Sequence, residues 1–347
     1  MLKRLKQATL QSLKTSGISA AVHNSRWRRQ RLLILAYHGI SLTDEHLWNG
    51  SQFMPADVFR NRLTQLKRSN CTVLPLGEAI ARLYANDLPD RAVVLTFDDG
   101  TSDFLGKAFP LLKEFDFPAT LYLTTFYTHY NRPVFDLMCS YLLWKGRSHT
   151  LDLNMLTRGD LKIDLLTHAA QEAALSEIKK FAGEQKLSAE AKDSLLASLA
   201  SQLDIDYAAL LEQRLMHNLT TDEVEQLAAG GADIQLHTHR HRTPMDRELF
   251  LREIEDNCLS IRAMTGRRPL HFCYPSGVHD PTFLPWLEES GIVSATTCDT
   301  GFASPASNAL LLPRVLDNAQ LSSIEFESWL TGISAALPRR RKKEKAA

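Results

Sequence analysis

The sequence predicts an α/β fold in which parallel strands alternate with helices and one long helical stretch interrupts the alternation. Three observations carry this. Short apolar, β-branched runs recur along the chain, separated by amphipathic helical segments. From 126 to 219 the pattern turns to Leu, Ala, Lys and Glu at helical spacing, with no convincing strand. Residues of catalytic type follow the C-terminal ends of four different predicted strands: His38, Asp98–Asp99, His237–His241 and Pro275–Gly277. In a (β/α) barrel those ends share the face on which active sites are built. Residues placed for structure alone would fall without regard to strand direction.

Residues 1–31 form a basic N-terminal segment, and the first part of the barrel runs from 32 to 125. Leu32–Tyr37 is its first strand, ending at His38-Gly39. Asp57 is placed to cap a helix through Ser69, with Val58, Phe59, Leu63 and Leu66 on one face. A short extended piece (71–74), a helix over 77–86, the strand 92–97 and a helix over 103–115 follow. Pro110 should bend or break that last helix. Ala119–Thr124 is another strand. Residues 126–219 read as an inserted helical subdomain, since so long a structureless loop is uncommon in a compact domain. The second part of the barrel, 220–331, opens with the capping box Thr220-Thr-Asp-Glu223. It continues with strand 232–236, a long helix over 247–265 stopped by Gly266, and strand 270–274. A helix over 280–290, strands over 291–297 and 310–316 and a helix over 322–330 complete it. A basic tail, 332–347, ends the chain.

The 347 residues are 44% hydrophobic and 23% charged, as in a globular chain with a sizeable core. The net charge of zero hides an uneven distribution. Residues 1–31 hold eight Lys/Arg and no acid, and 339–345 hold six bases and one acid. The body between is left at −13. Basic ends suit an anionic membrane surface, and Leu2, Leu5, Leu10 and Leu13 among lysines suggest a helix lying on one. No nucleic acid partner is expected. No apolar run follows the basic start as in a secretory signal, and none is long enough to cross a bilayer. Five scattered cysteines without a Cys-x-x-Cys pair read as reduced thiols. Together these predict a cytoplasmic protein, peripheral on the inner membrane face.

The chemistry centres on Thr96-Phe-Asp-Asp-Gly100. Neighbouring strand residues point to opposite faces, so Asp98 and Asp99 can serve one site only if the chain bends there, as Gly100 permits. His237 and His241, on a loop before Pro244, add two imidazoles. Two imidazoles and one aspartate, Asp98 or Asp99, make the three-ligand arrangement of a catalytic zinc site. The other carboxylate is then free to act as base, and His38 is the candidate acid. A backbone N–H near Tyr274 and Pro275 is the candidate oxyanion donor. His239 is read as an ordinary hydrogen-bonded histidine. These parts suit hydrolysis of an amide or ester carbonyl.

Thr96-Phe-Asp-Asp-Gly100 followed by His237-Thr-His-Arg-His241 resembles the two leading motifs of the polysaccharide deacetylase family (NodB-like, carbohydrate esterase family 4). The resemblance covers 32–125 and 220–320, and implies a distorted (β/α) barrel of seven or eight strands. It implies Asp98 as the base, and Asp99, His237 and His241 as ligands of a divalent metal, commonly Zn2+. The implied reaction removes acetyl groups from N-acetylated or O-acetylated sugars of a polysaccharide or its precursor, with water on the metal as nucleophile. Two departures stand out. Phe272-Cys-Tyr-Pro-Ser-Gly277 lacks the arginine of the family's third motif, for which Arg314, at the start of the last strand, is a candidate substitute. The C-terminal Leu-x-His-Asp segment is also missing, while Leu35-Ala-Tyr-His-Gly-Ile40 resembles the Tyr-His motif of the poly-N-acetylglucosamine deacetylase branch. There the motif order is permuted and this histidine is the acid. The altered third motif leaves two other readings open: a silent barrel that binds a glycan or a partner, and a zinc amidase acting on a non-sugar amide.

Overall fold

Strands that are apolar on both faces must be covered on both faces, and this is what the central sheet achieves. The computed structural model describes residues 2–154 and 161–337. Among them, seven parallel strands make the ring: β1 (Leu33–Tyr37), β2 (Ala92–Phe97), β3 (Thr120–Leu123), β4 (Asp233–Leu236), β5 (His271–Cys273), β6 (Ser294–Thr296) and β7 (Val315–Leu316). Their order is β6-β5-β4-β3-β2-β1-β7. Every residue of β1 and β2 is buried, and the two pair in register from Leu33–Val93 to Tyr37–Phe97. The ring closes where Leu312 bridges Thr296. There the Leu312 N–H donates to Ala295 O and the Thr297 N–H to Leu312 O, both at 2.9 Å. Thr72–Val73 adds a short outer pair on β2.

The last strand is shorter than its apolar run. Pro313 has no N–H to give to a ladder, so pairing with β1 begins only at Val315. The strand expected over 291–297 also contracts, to β6, because Gly291 is in the left-handed region and ends the preceding turn.

Among the described residues, the α-helices of six residues or more are α1 (Leu2–Thr15), α2 (Ile18–His23), α3 (Ala56–Arg68), α4 (Leu76–Tyr84), α5 (Phe109–Phe115), α6 (Phe135–Lys145), α7 (His168–Glu184), α8 (Ala189–Gln202), α9 (Tyr207–Glu212), α10 (Thr221–Ala229), α11 (Arg247–Thr265), α12 (Phe283–Glu289) and α13 (Ser323–Thr331). Pro55 rather than Asp57 stands at the N-cap of α3, and Asp57 lies in the first turn, where its charge suits the helix dipole. Pro110 does not break its helix. A π-helical turn over Phe104–Ala108 runs straight into α5 and leaves the proline at its N-terminal end, where a missing N–H costs little.

The insertion has its own core. Met138, Tyr141 and Leu142 of α6 pack with Ile178 of α7 and Leu196 and Leu199 of α8. It also holds an antiparallel ribbon, Thr150–Asp152 with Lys162–Asp164, where no strand was expected. Three-residue strands are too short for their alternation to stand out in a sequence.

Helix α1 lies against α13. Leu10 is buried there, Lys6 pairs with Glu325 at 2.9 Å, and Lys14 with Glu327 at 2.6 Å. Lys3 donates to Gln320 O at 2.8 Å. Three lysines expected to face a membrane are therefore turned onto the acidic body. Among the described residues, no helix is long and apolar enough to cross a membrane. The 339–345 basic run lies outside the described residues.

Candidate active site

Strand β2 carries Asp98 to the C-terminal mouth of the barrel, where the Asp98 N–H donates to Tyr37 O at 3.0 Å. The required bend follows at once. Asp99 (φ 74°) and Gly100 (φ 82°) are both left-handed. A Cβ at position 100 would collide with the Leu123 side chain, so glycine is needed for space as well as for conformation. The bend lets two consecutive carboxylates share one site. Both have an oxygen within 4.8 Å of a His237 ring nitrogen.

His237 and His241 follow β4 in a loop, not a helix, with Thr238 and His241 at positive φ. The Nε2 atoms of both histidines lie 3.2 Å from Asp99 Oδ1. That oxygen is buried and has no hydrogen-bond donor. His237 Nδ1 is 2.8 Å from Cys273 O, which can only accept, so the neutral ring keeps its lone pair on Nε2. Donors about 2.0–2.2 Å from a common ion stand roughly 3.0–3.5 Å from one another. The 3.2 Å spacings and the orphaned oxygen therefore fit a divalent cation held by Asp99, His237 and His241. The expected result is about one equivalent of Zn2+ bound by the wild-type chain, and loss of that ion in Asp99→Ala and in His237→Ala. Metal analysis after gel filtration checks this, and retention of the ion in both variants would rule out the assignment.

The histidine loop is held from behind by residues that no motif reveals. Asn257 Oδ1 accepts the His237 N–H at 2.9 Å, and its Nδ2 donates to Leu123 O and Thr125 Oγ1. Thr125 Oγ1 is in turn 2.9 Å from His239 Nδ1, so His239 is a hydrogen-bonded residue. Glu253, buried on α11, accepts from the Arg240 N–H at 2.8 Å and pairs with the Arg240 and Arg242 guanidinium groups. The i, i+4 spacing of Glu253 and Asn257 on a predicted helix was their only signal.

Two stretches of the chain, 85–186 and 198–295, match the model of the family described as Polysaccharide deacetylase. They make up more than half of the chain. The chain belongs to the polysaccharide deacetylase family. The family is generally metal-dependent, in keeping with the donor set above. A Staphylococcus epidermidis protein named poly-beta-1,6-N-acetyl-D-glucosamine N-deacetylase is 28% identical over 174 residues, covering 45% of this chain and 60% of that protein. This chain thus spans less than two thirds of that relative. The fold is like that of the Streptococcus pyogenes deacetylase PplD (TM-score 0.56, 20% identity, 85% of this chain and 96% of that one). It is also like that of IcaB from Ammonifex degensii (TM-score 0.55, 16% identity, 87% and 97%).

The arginine absent from the third motif has a counterpart in space. Arg314, just before β7 and fully buried, donates from Nη1 to Asp98 Oδ1 at 2.7 Å and from Nη2 to Asp98 Oδ2 at 2.8 Å. Its Nε donates to Thr297 O and its Nη2 lies 3.0 Å from Cys273 Sγ. Burial alone would raise the Asp98 pKa, but the Arg314 fork keeps its carboxyl below the usual range. Asp98, His237 and Cys273 form a second group spaced for a metal. The guanidinium already supplies the positive charge there, so the Asp99 group is the better cation site.

The oxyanion expectation needs correction. The Tyr274 N–H donates to Thr296 O at 3.1 Å, in the ladder between β5 and β6, and the Tyr274 hydroxyl donates to Leu310 O at 3.0 Å. Pro275 has no N–H and is buried. Neither residue offers a free donor. Ser276, exposed and left-handed at φ 56°, is the next residue of this loop with an N–H.

His38 ends β1 with Nε2 4.0 Å from Asp98 Oδ2 and its side chain 23% exposed. Its loop is tied to the carboxylate loop by Asp103, whose Oδ2 accepts the Ile40 N–H at 2.6 Å. Burial, and then the nearby Glu45 charge, push the Asp103 carboxyl up to about 7. A folded-state pKa above the unfolded value means that the native chain holds this proton longer. Stability from this group is fully present below about pH 4 and is lost as pH rises toward 7, with a slope of at most about 1.4 kcal/mol per pH unit. Wild type should lose more thermal stability than Asp103→Asn between pH 4 and 7. Parallel melting curves across that range would exclude a raised pKa at Asp103.

Proposed function

We propose that this protein is a metal-dependent hydrolase that removes acetyl groups from N-acetylated sugars of a polysaccharide or its precursor. One observation carries the reading. A buried carboxylate, Asp98, is clamped by Arg314 beside the Asp99–His237–His241 donor set, with His38 4.0 Å from it. The name of the Staphylococcus epidermidis relative favours N-acetylglucosamine over an O-acetyl ester.

When bound, a divalent ion, zinc by the character of its donors, would acidify water and polarise an acetyl carbonyl. The chain's residues supply the rest. Arg314 fixes the Asp98 carboxylate and keeps it ionised, ready to take the proton of the attacking water. His38 delivers a proton to the departing amine nitrogen. The Ser276 N–H is the donor left in its loop for the developing oxyanion. With an arginine restored to Asp98 through Arg314, the altered third motif no longer favours a silent barrel.

The test is acetate release from β-1,6-linked N-acetylglucosamine oligomers by the full chain, incubated with zinc and then with a chelator. Acetate and free amine should appear together in equal amounts, and chelation should stop both. A zinc-loaded, folded chain that releases acetate from no acetylated sugar would overturn the reading.

A further inference from the structure

We infer that the helical insertion helps set which sugar the site accepts, with Tyr127 and Leu137 as its specificity-determining residues. This rests on the deacetylase reading above. Beside the donor set lies a cavity of about 220 Å3. Asp99 and His241 line it together with Gln52, Thr101 and Thr124 of the barrel and Tyr127, Val134, Asp136 and Leu137 of the insertion. Whatever occupies it is therefore held against the reacting centre. Its volume is below the ~300–1,000 Å3 of pockets that bury drug-sized ligands, and leaves room for about one sugar ring.

The chemistry of the wall suits that occupant. Tyr127, Val134 and Leu137 offer an aromatic and aliphatic surface for the C–H face of a pyranose. The Asp136 carboxylate, paired with Lys179 at 2.6 Å, adds a polar edge for hydroxyl groups. The insertion thus contributes the aromatic and aliphatic surface of the cavity, beside the polar side chains of Gln52, Thr101 and Thr124 from the barrel.

The wall is also fixed to the reacting residues. The Leu219 N–H donates to Gly100 O and the Ser102 N–H to His217 O, both at 2.9 Å. These tie the end of the insertion to the turn that follows Asp99. The Val134 N–H donates to Met216 O at 2.7 Å, locking the start of α6 to that end. On the other side, Asp44, in the loop after His38, accepts from the Tyr141 hydroxyl and from Lys145 Nζ at 2.9 Å. The insertion therefore spans the loops of the proposed base and the proposed acid, and the cavity is preformed.

The test compares wild type with Tyr127→Ala, which removes the aromatic surface, and Leu137→Trp, which fills the cavity. Steady-state acetate release and calorimetric titration with an N-acetylglucosamine trimer are measured on the full zinc-loaded chain, with melting curves and metal content as controls. The expected result is a KM and a Kd raised tenfold or more in both variants, with zinc still bound. Unchanged KM and Kd in both folded variants would overturn the inference while leaving the deacetylase reading intact. Trimer binding that is lost in both variants, on a wild type that releases no acetate, would uphold the wall and sink the deacetylase reading instead.

Discussion

Asp98→Asn lowers kcat by roughly a hundred- to ten-thousand-fold, the range in which a positioned general base contributes, while the chain still binds zinc. The amide keeps the carboxylate's shape but cannot hold a proton from water. The three proposed metal donors belong to other residues, so the ion is expected to stay. The separation of the two effects is the informative part. A variant that loses zinc as well would place Asp98 among the ligands. A variant that keeps its turnover would remove it from the reaction. The substitution also leaves the buried Arg314 fork facing an amide with only one acceptor oxygen. Melting curves must therefore accompany the kinetics, and a lower melting temperature is expected.

Arg314→Met has the largest expected effect on the fold. Asp98 is 3% exposed and Arg314 fully buried. Removing one partner of a buried ion pair typically costs about 3–5 kcal/mol, because the remaining charge has no counter-charge and little water. The loss should be partly recovered in the double variant Asp98→Asn, Arg314→Met, which buries neither charge. Denaturant titration of the four proteins checks this. Equal stability of wild type and Arg314→Met would show that the pair contributes little. A double variant less stable than both single variants would show that its hydrogen bonds matter more than its charges. Arg314→Lys should not rescue activity, since a single ammonium cannot reproduce the planar two-bond fork.

The site divides into residues that motifs disclose and residues that only space brings in. Asp98–Asp99, His237 and His38 stand directly after apolar runs, with His241 four residues beyond His237, and a strand's end is visible in one dimension. Arg314, a candidate from the sequence, lies far from Asp98 along the chain, and its contact with that carboxylate exists only because the ring closes between β6 and β7. Neither His38 nor Arg314 falls within the stretches that match the family. Asn257 and Glu253 look like ordinary surface positions of an amphipathic helix until α11 is laid against β4.

By itself, then, the sequence determined the alternation of strands and helices, the bend after Asp98 and the residues from which a donor set can be drawn. These depend on neighbours a few residues apart: burial periodicity, a glycine's left-handed backbone, and the rule that barrel strand ends share a face. The tertiary structure decided the rest. It spent the Tyr274 N–H on the ladder, paired Arg314 with Asp98, turned Lys6 of α1 onto α13, and set the insertion beside Asp99 and His241. Hydrogen bonds and ion pairs of this kind join residues that the chain keeps far apart. Which donor is spent and which is left free follows only from what packs beside it.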